Sequence, residues 1–147
     1  DVLFQMDAKK QGLKIGGLET PEQQMEVLKS MSITEQKNEL VDLLNHYDKH
    51  TLQFDSLITA YLNHDLQTLK KLTNESFSKT SEKFKEEILT KRNLKMVDKI
   101  DEYASKSSCL FAVGAAHLIG EQGLLNLLKN KGFVLEAVYA IKQHSSN

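Results

Sequence analysis

The stretch "LFAVGAAHLIGEQGLLNLLKNKGF", Leu110 to Phe133, decides the predicted fold. It lies within a pattern that starts with a continuous apolar run, Cys109 to Val113, which is typical of a strand buried on both faces. A helix is predicted over Glu121 to Asn130, and a last strand over Phe133 to Ile141. This order predicts a β-α-β unit with parallel strands and a right-handed crossover. His117 then follows the carboxyl end of a strand, where open α/β sheets bind ligands.

A further strand is predicted near the start of the chain, over Leu13 to Glu19. Thr20 and Gln23 form a capping box that ends this strand and begins a helix. Glu19 therefore occupies the same kind of position as His117, after a strand and before a helix. If the strands are parallel, the two side chains face one crevice, within a side chain's reach of each other.

The segment between the first two predicted strands is expected to be helical. The first helix should stop near Ser30, and a second capping box begins another helix after Ser32. The later predicted helices cover Leu52 to Leu62, Leu66 to Leu72 and Glu82 to Ala104, with a loop over Thr73 to Ser81. The predicted fold class is therefore helix-rich α/β, with a small sheet of about three strands, a long helical middle segment and a C-terminal β-α-β unit.

Arg92 has a distinctive position in the longest predicted helix. It lies one turn from both Ile88 and Met96, so its stem should follow the apolar side while its guanidinium reaches toward the crevice. The same side carries Lys85, Lys95 and Lys99. A solvated basic face is the alternative interpretation of these cations.

Length and composition limit the function classes. The 147 residues, 40% of them hydrophobic, predict a single domain over 1–142 and a disordered tail over 143–147. The 19 basic and 20 acidic residues give no basic footprint for nucleic acid. No apolar run approaches the roughly 20 residues of a membrane span. Because the chain begins at Asp1 without Met, it is expected to be an interior part of a longer protein.

Other metal-ligating and nucleophilic residues give weaker signals. His46 and His50 have the spacing of a helical zinc pair but lack the glutamate of His-Glu-x-x-His, so surface histidines are favoured. His64 lies in a polar break and His144 in the tail. Cys109 is the single cysteine, which excludes an internal disulfide, and it is expected to be an inert residue of a buried strand.

Three segments in order, "GLKIGGLETPEQQ", "RNLKM" and "FAVGAAHLIGEQGLLNLLKNKGF", are similar to the carboxyl-terminal half of the TraB/GumN family, whose relatives include TIKI-type proteins. The resemblance extends from about residue 1 to residue 140. It implies a metal-dependent hydrolytic site built from two Gly-x-x-His motifs, a glutamate and an arginine. His117 with Gly114 matches the second Gly-x-x-His, Glu19 matches the glutamate, and Arg92 with Asn93 matches an Arg-Asn pair.

The chain departs from the family pattern because it contains one Gly-x-x-His, so the first motif is expected upstream. The resemblance then implies a fragment of a metal-dependent hydrolase, a peptidase, that is inactive by itself. His117 would be a metal ligand, Glu19 a ligand or general base, and Arg92 a group that stabilises negative charge. A catalytic zinc takes three protein ligands, so a divalent metal is expected in the parent protein and no tightly bound metal in this chain.

A second hypothesis from a different class stays open. The same crevice could serve a non-catalytic module that holds a peptide or small ligand, as for family members that regulate peptide pheromones. The family resemblance also implies export to the periplasm or cell surface. Strand edges exposed by truncation predict a homodimer.

Overall fold

A computed structural model describes residues 2–77 and 82–138, and this part of the chain is helical. The α-helices are α1 (Val2–Lys10), α2 (Pro21–Lys29), α3 (Ile33–Asn45), α4 (Tyr47–Leu62), α5 (Leu66–Phe77), α6 (Glu82–Lys85), α7 (Lys91–Ala104) and α8 (Leu124–Asn130). A π-helical turn, Glu86–Thr90, joins α6 to α7, and a 3₁₀ turn, Ala115–His117, precedes α8. No helix over these residues is both long and apolar enough to cross a bilayer, in agreement with the prediction of no membrane span.

The predicted α/β fold class is wrong, because residues 2–77 and 82–138 contain no strand and no sheet. The segment predicted as the first strand leaves Leu13 and Ile15 exposed. In the second, Phe111 and Val113 pack on the core while Leu110 is 77% exposed. The segment predicted as the third strand leaves Val134 exposed. The end of this segment and the predicted tail lie outside the described residues.

The β-α-β prediction failed for a physical reason. An apolar run indicates that side chains will be buried, but a strand also requires a neighbouring strand to accept and donate its backbone hydrogen bonds. Within the described residues, Cys109 to Val113 has a helical neighbour instead, and helices satisfy their own backbone groups. The segment therefore forms no strand, and it has Phe111 and Val113 on the helices while Leu110 is exposed.

The predicted helix starts were accurate where capping residues mark them. The Thr20 hydroxyl accepts a hydrogen bond from the Gln23 amide at 3.3 Å, and the Thr20 amide donates to the Gln23 side chain at 2.9 Å. The Ser32 and Glu35 pair repeats the arrangement at the start of α3. Both capping boxes are confirmed. The predicted loop after residue 72 is wrong as far as Phe77, since α5 continues to that residue.

The start of α8 lies later than predicted because a glycine turn precedes it. Gly120 has a φ of +91°, which side chains rarely tolerate. A Cβ on Gly123 would lie 2.3 Å from the Ile119 carbonyl oxygen. The backbone of Gly123 lies close to that of Ile119 in this turn, and α8 begins at Leu124 instead of Glu121.

The core lies between α7 and α8. Met96, Val97, Ile100 and Leu124 are buried, and they are joined by partly buried Leu18, Phe111, Val113, Leu127 and Leu128. Met96 and Ile100, which were predicted on the apolar side of the long helix, are buried, but Tyr103, predicted on the same side, is exposed. Leu18 attaches the segment before α2 to this core, and α2 also contacts the π-helical turn. These contacts bring Glu19 beside the start of α7.

Candidate functional site

Glu19 and Arg92 form a bidentate ion pair. The Arg92 Nε donates to Glu19 Oε1 and Nη2 donates to Oε2, each at 2.7 Å. The Glu19 side chain is 8% exposed and that of Arg92 20% exposed. The hydrogen bonds from Arg92 are the largest cause of a lowered pKa for the Glu19 carboxyl, against the opposing effect of burial. Two parallel charge-assisted bonds of this kind fix both groups in orientation as well as distance.

Arg92 is held by the π-helical turn as well as by Glu19. Its Nη1 donates to the carbonyl oxygen of Ile88 at 3.0 Å. A guanidinium has five N–H donors, so these three bonds leave one N–H on Nη1 and one on Nη2 beyond those given to the described residues. The guanidinium thus points toward Glu19, in the direction expected from its place beside Ile88 and Met96.

Asn93 connects α7 to His117. The Asn93 Nδ2 donates to the backbone carbonyl oxygen of Gln122 at 2.7 Å, and the Asn93 Oδ1 lies 2.6 Å from the Nδ1 of His117. A carbonyl only accepts, so the amide must turn its nitrogen to Gln122 and its oxygen to the imidazole. The His117 Nδ1 must then carry the hydrogen. In the neutral imidazole Nε2 then keeps its lone pair, and no hydrogen bond to a described residue uses it.

Burial favours the neutral form of the His117 imidazole by lowering its pKa. His117 is 8% exposed and Asn93 2% exposed. Burial is the largest cause of a lowered pKa for His117, the positive charge of Arg92 lowers it further, and the charge of Glu19 opposes both. A neutral imidazole with a fixed tautomer is suited to accept a proton or to bind a metal ion.

The four residues meet at the first turns of α7 and not at a sheet edge. Consecutive residues of a helix project about 100° apart. Arg92 therefore turns toward Glu19 while Asn93 turns toward His117. The charges of Glu19 and His117 affect each other's pKa, although no hydrogen bond joins the two side chains. Glu19 and His117 were predicted to lie near each other, and the start of α7 is what brings them together. The predicted sheet edge was wrong.

The described residues do not form a metal site by themselves. No group of three or more histidine, cysteine, aspartate or glutamate side chains in residues 2–77 and 82–138 is arranged to hold a metal ion. Both carboxylate oxygens of Glu19 accept hydrogen bonds from Arg92. The Nε2 of His117 is the donor best prepared for a metal ion. The roles of His117 and Glu19 as metal ligands remain predictions.

His46, His50 and Cys109 contact residues other than those of this site. Asp42 contacts both predicted surface histidines, His46 at 3.2 Å and His50 at 3.0 Å, at the corner between α3 and α4. His46 is exposed and His50 is half-buried. Cys109 is exposed, so its predicted burial was wrong, since the expected strand does not form. His144 lies outside the described residues.

A cleft of about 290 Å³ borders the ion pair. Leu18 and Val27 supply apolar surface, and Lys95 and Lys99 lie on the α7 side. Glu19 and Arg92 form part of the same lining. These lysines were predicted on the same side of the long helix as Arg92, but their proximity to the segment before α2 was not predicted.

Comparison with known proteins gives a family. The sequence model of the TraB/PrgY/gumN family matches residues 1–137. The match gives no support to the finer expectation that the chain is the carboxyl-terminal half of the family domain. No curated protein and no solved structure matches the chain.

Proposed function

The chain belongs to the TraB/PrgY/gumN family, and we propose that it contributes the His117 side of a metal-dependent hydrolytic site that cleaves peptides. The observation that carries this proposal is the 2.6 Å hydrogen bond between His117 Nδ1 and Asn93 Oδ1. It leaves the Nε2 lone pair available on a buried imidazole. Hydrogen bonds of this kind commonly orient histidines that bind metals.

Arg92 is proposed to stabilise negative charge in the substrate. Its two remaining N–H groups are held in place because Glu19 and the Ile88 carbonyl fix the other three. Prepositioned donors of this kind stabilise charge that develops during hydrolysis. Glu19 is proposed to position Arg92 in this arrangement. To act as a metal ligand or general base, Glu19 would have to give up one of the hydrogen bonds that its carboxylate accepts from Arg92.

The proposal requires ligands beyond the described residues. A catalytic zinc takes three protein ligands, and His117 offers one. We therefore propose that residues 1–147 alone are inactive and bind divalent metal weakly. The additional ligands would have to come from outside residues 2–77 and 82–138.

The test uses the gene product that carries residues 1–147. Hydrolysis of a peptide library is measured after chelation and after addition of Zn²⁺, Co²⁺ or Mn²⁺. His117→Ala should reduce metal-dependent hydrolysis by about 100-fold or more, the scale of a lost general base or ligand. His46→Ala is the matched control and should retain activity, since His46 contacts Asp42 at the α3–α4 corner. Unchanged hydrolysis by His117→Ala would contradict the proposal.

A non-catalytic binding module is the second candidate. It is favoured by the lack of a three-ligand cluster in residues 2–77 and 82–138 and by the cleft beside Arg92. The two candidates differ in their response to chelation. A binding module holds its peptide equally well in EDTA and releases no cleaved product with any divalent metal.

A further inference from the structure

The cleft beside Arg92 combines apolar surface with cations. Leu18 and Val27 line it from the α2 side, and Lys95 and Lys99 line it from α7. At about 290 Å³, it lies near the lower limit of small-ligand pockets and has room for one end of a peptide. Its apolar part suits a hydrophobic side chain.

The carboxylates in the cleft lining are already paired. They are Glu19 with Arg92, Glu87 with Lys91 and Asp98 with Lys131. No ion pair to a described residue involves Lys95 or Lys99. Two of the four cations in the lining are thus without a contacting carboxylate in this part of the chain.

These two lysines continue a row that begins at Arg92. Residues 92, 95 and 99 follow the three- and four-residue spacing that places side chains on one helix face. At 1.5 Å per residue, the row extends over about 10 Å. Lys95 is exposed, but Lys99 is half-buried. An anionic ligand in the cleft would give both ammonium groups a contacting carboxylate, which the described residues do not.

We propose that this cleft binds a carboxylate group of a peptide, with Lys95 and Lys99 as its charge partners and a neighbouring apolar side chain against Leu18 and Val27. The inference rests on the proposed function for the peptide character of the ligand. It goes further by specifying an anionic peptide, and it adds two residues that determine specificity. Arg92 belongs to the same cleft lining.

The experiment measures peptide affinity by isothermal titration calorimetry with residues 1–147 in EDTA. One probe pair is acetyl-Leu-Leu with a free carboxyl terminus and its amide. The second pair is acetyl-Leu-Glu-amide and acetyl-Leu-Gln-amide. In at least one pair, the charged member should bind about tenfold more tightly than the neutral one, and 0.5 M salt should reduce this difference.

The double variant Lys95→Gln/Lys99→Gln should lose this tenfold preference. Lys70→Gln is the matched control, because Lys70 is an exposed lysine of α5 outside the cleft lining. A preference confined to the first pair identifies a carboxyl terminus, and one confined to the second identifies an acidic side chain. Both results support a carboxylate site.

Three results would overturn the inference: no binding of any probe, equal binding within both pairs, or an equal loss of preference in Lys70→Gln. Because the probes are bound in EDTA, the result is independent of metal-dependent hydrolysis. A gene product that hydrolyses peptides through His117 but shows no carboxylate preference would refute this inference alone. Failure of hydrolysis with an intact preference would refute the proposed catalytic function alone.

Discussion

Replacement of Asn93 by alanine tests how the site is held together. The Asn93 side chain is 2% exposed, and it accepts from His117 and donates to the Gln122 carbonyl. Alanine would leave the buried Nδ1 of His117 without its partner and would also remove the hydrogen bond to the carbonyl of Gln122, which is an exposed residue. Each unsatisfied group costs about 1–3 kcal/mol. The free energy of unfolding should therefore decrease by roughly 1–3 kcal/mol, a substantial part of the stability of a small domain.

The assay is urea unfolding followed by circular dichroism, with the midpoint and slope fitted separately. Asn130→Ala on α8 is the control, since Asn130 is exposed and should change stability by about 0.5 kcal/mol or less. Nitrogen chemical shifts of the His117 ring report the tautomer directly. The wild type should carry its hydrogen on Nδ1, and Asn93→Ala should show a mixture of tautomers.

The two measurements together can refute this reasoning. A loss of stability below about 1 kcal/mol would mean that water or another group satisfies His117 and Gln122. A wild-type imidazole with its hydrogen on Nε2 would contradict the tautomer assignment. In that case the Nε2 atom would not be ready to bind a metal ion or accept a proton.

Three further predictions concern acid stability, glycine substitution and self-association. The pKa of Glu19 is lowered in the folded chain, mainly by the hydrogen bonds from Arg92. The ion pair therefore stabilises the fold fully at a pH above the ordinary carboxyl pKa of 4.5. This stabilisation is lost as the pH falls through the lowered pKa. Urea unfolding from pH 7 to pH 3 should show this loss, and Glu19→Gln should remove it. Gly123→Ala should lower the free energy of unfolding by about 1–3 kcal/mol, because its Cβ would clash with the Ile119 carbonyl. In Gly114→Ala the nearest atom to the new Cβ is 3.7 Å away, so thermal unfolding should show a smaller change for this variant. Large apolar side chains exposed on α3 and α4 should promote a homodimer. Light scattering over a dilution series measures the mass, and a monomer mass at high micromolar concentration would contradict the prediction.

The sequence predicted helix starts better than sheet structure because capping is local. Thr20 and Gln23 satisfy the first turn of α2 from within four residues. Strand pairing depends instead on a partner distant in the sequence, which no pattern within Cys109 to Val113 can reveal. The run was interpreted as buried on both faces, whereas Phe111 and Val113 alone turn to the core.

The residues of the candidate site were predicted from the sequence, but one side chain that connects them was not. Glu19, Arg92 and His117 were all predicted, and they do gather at the start of α7. The buried link through Asn93 was not predicted. The signal was present in the adjacent Arg-Asn pair, because two consecutive helical residues can contact two different segments. The Gln122 carbonyl leaves no comparable signal, since any residue supplies a backbone oxygen.

The π-helical turn explains how one long helix serves both the core and the site. In an uninterrupted α-helix, Phe84 and Asn93 are nine residues apart and would project about 180° from each other. A π-helical turn adds about one residue to the helix, which reduces this angle to about 80° and aligns Phe84 with Met96 to within about 20°. Phe84, Asn93 and Met96 are in fact all buried. The turn at Glu86–Thr90 thus brings the apolar residues before and after it onto one side, and it places the Ile88 carbonyl where Arg92 donates to it.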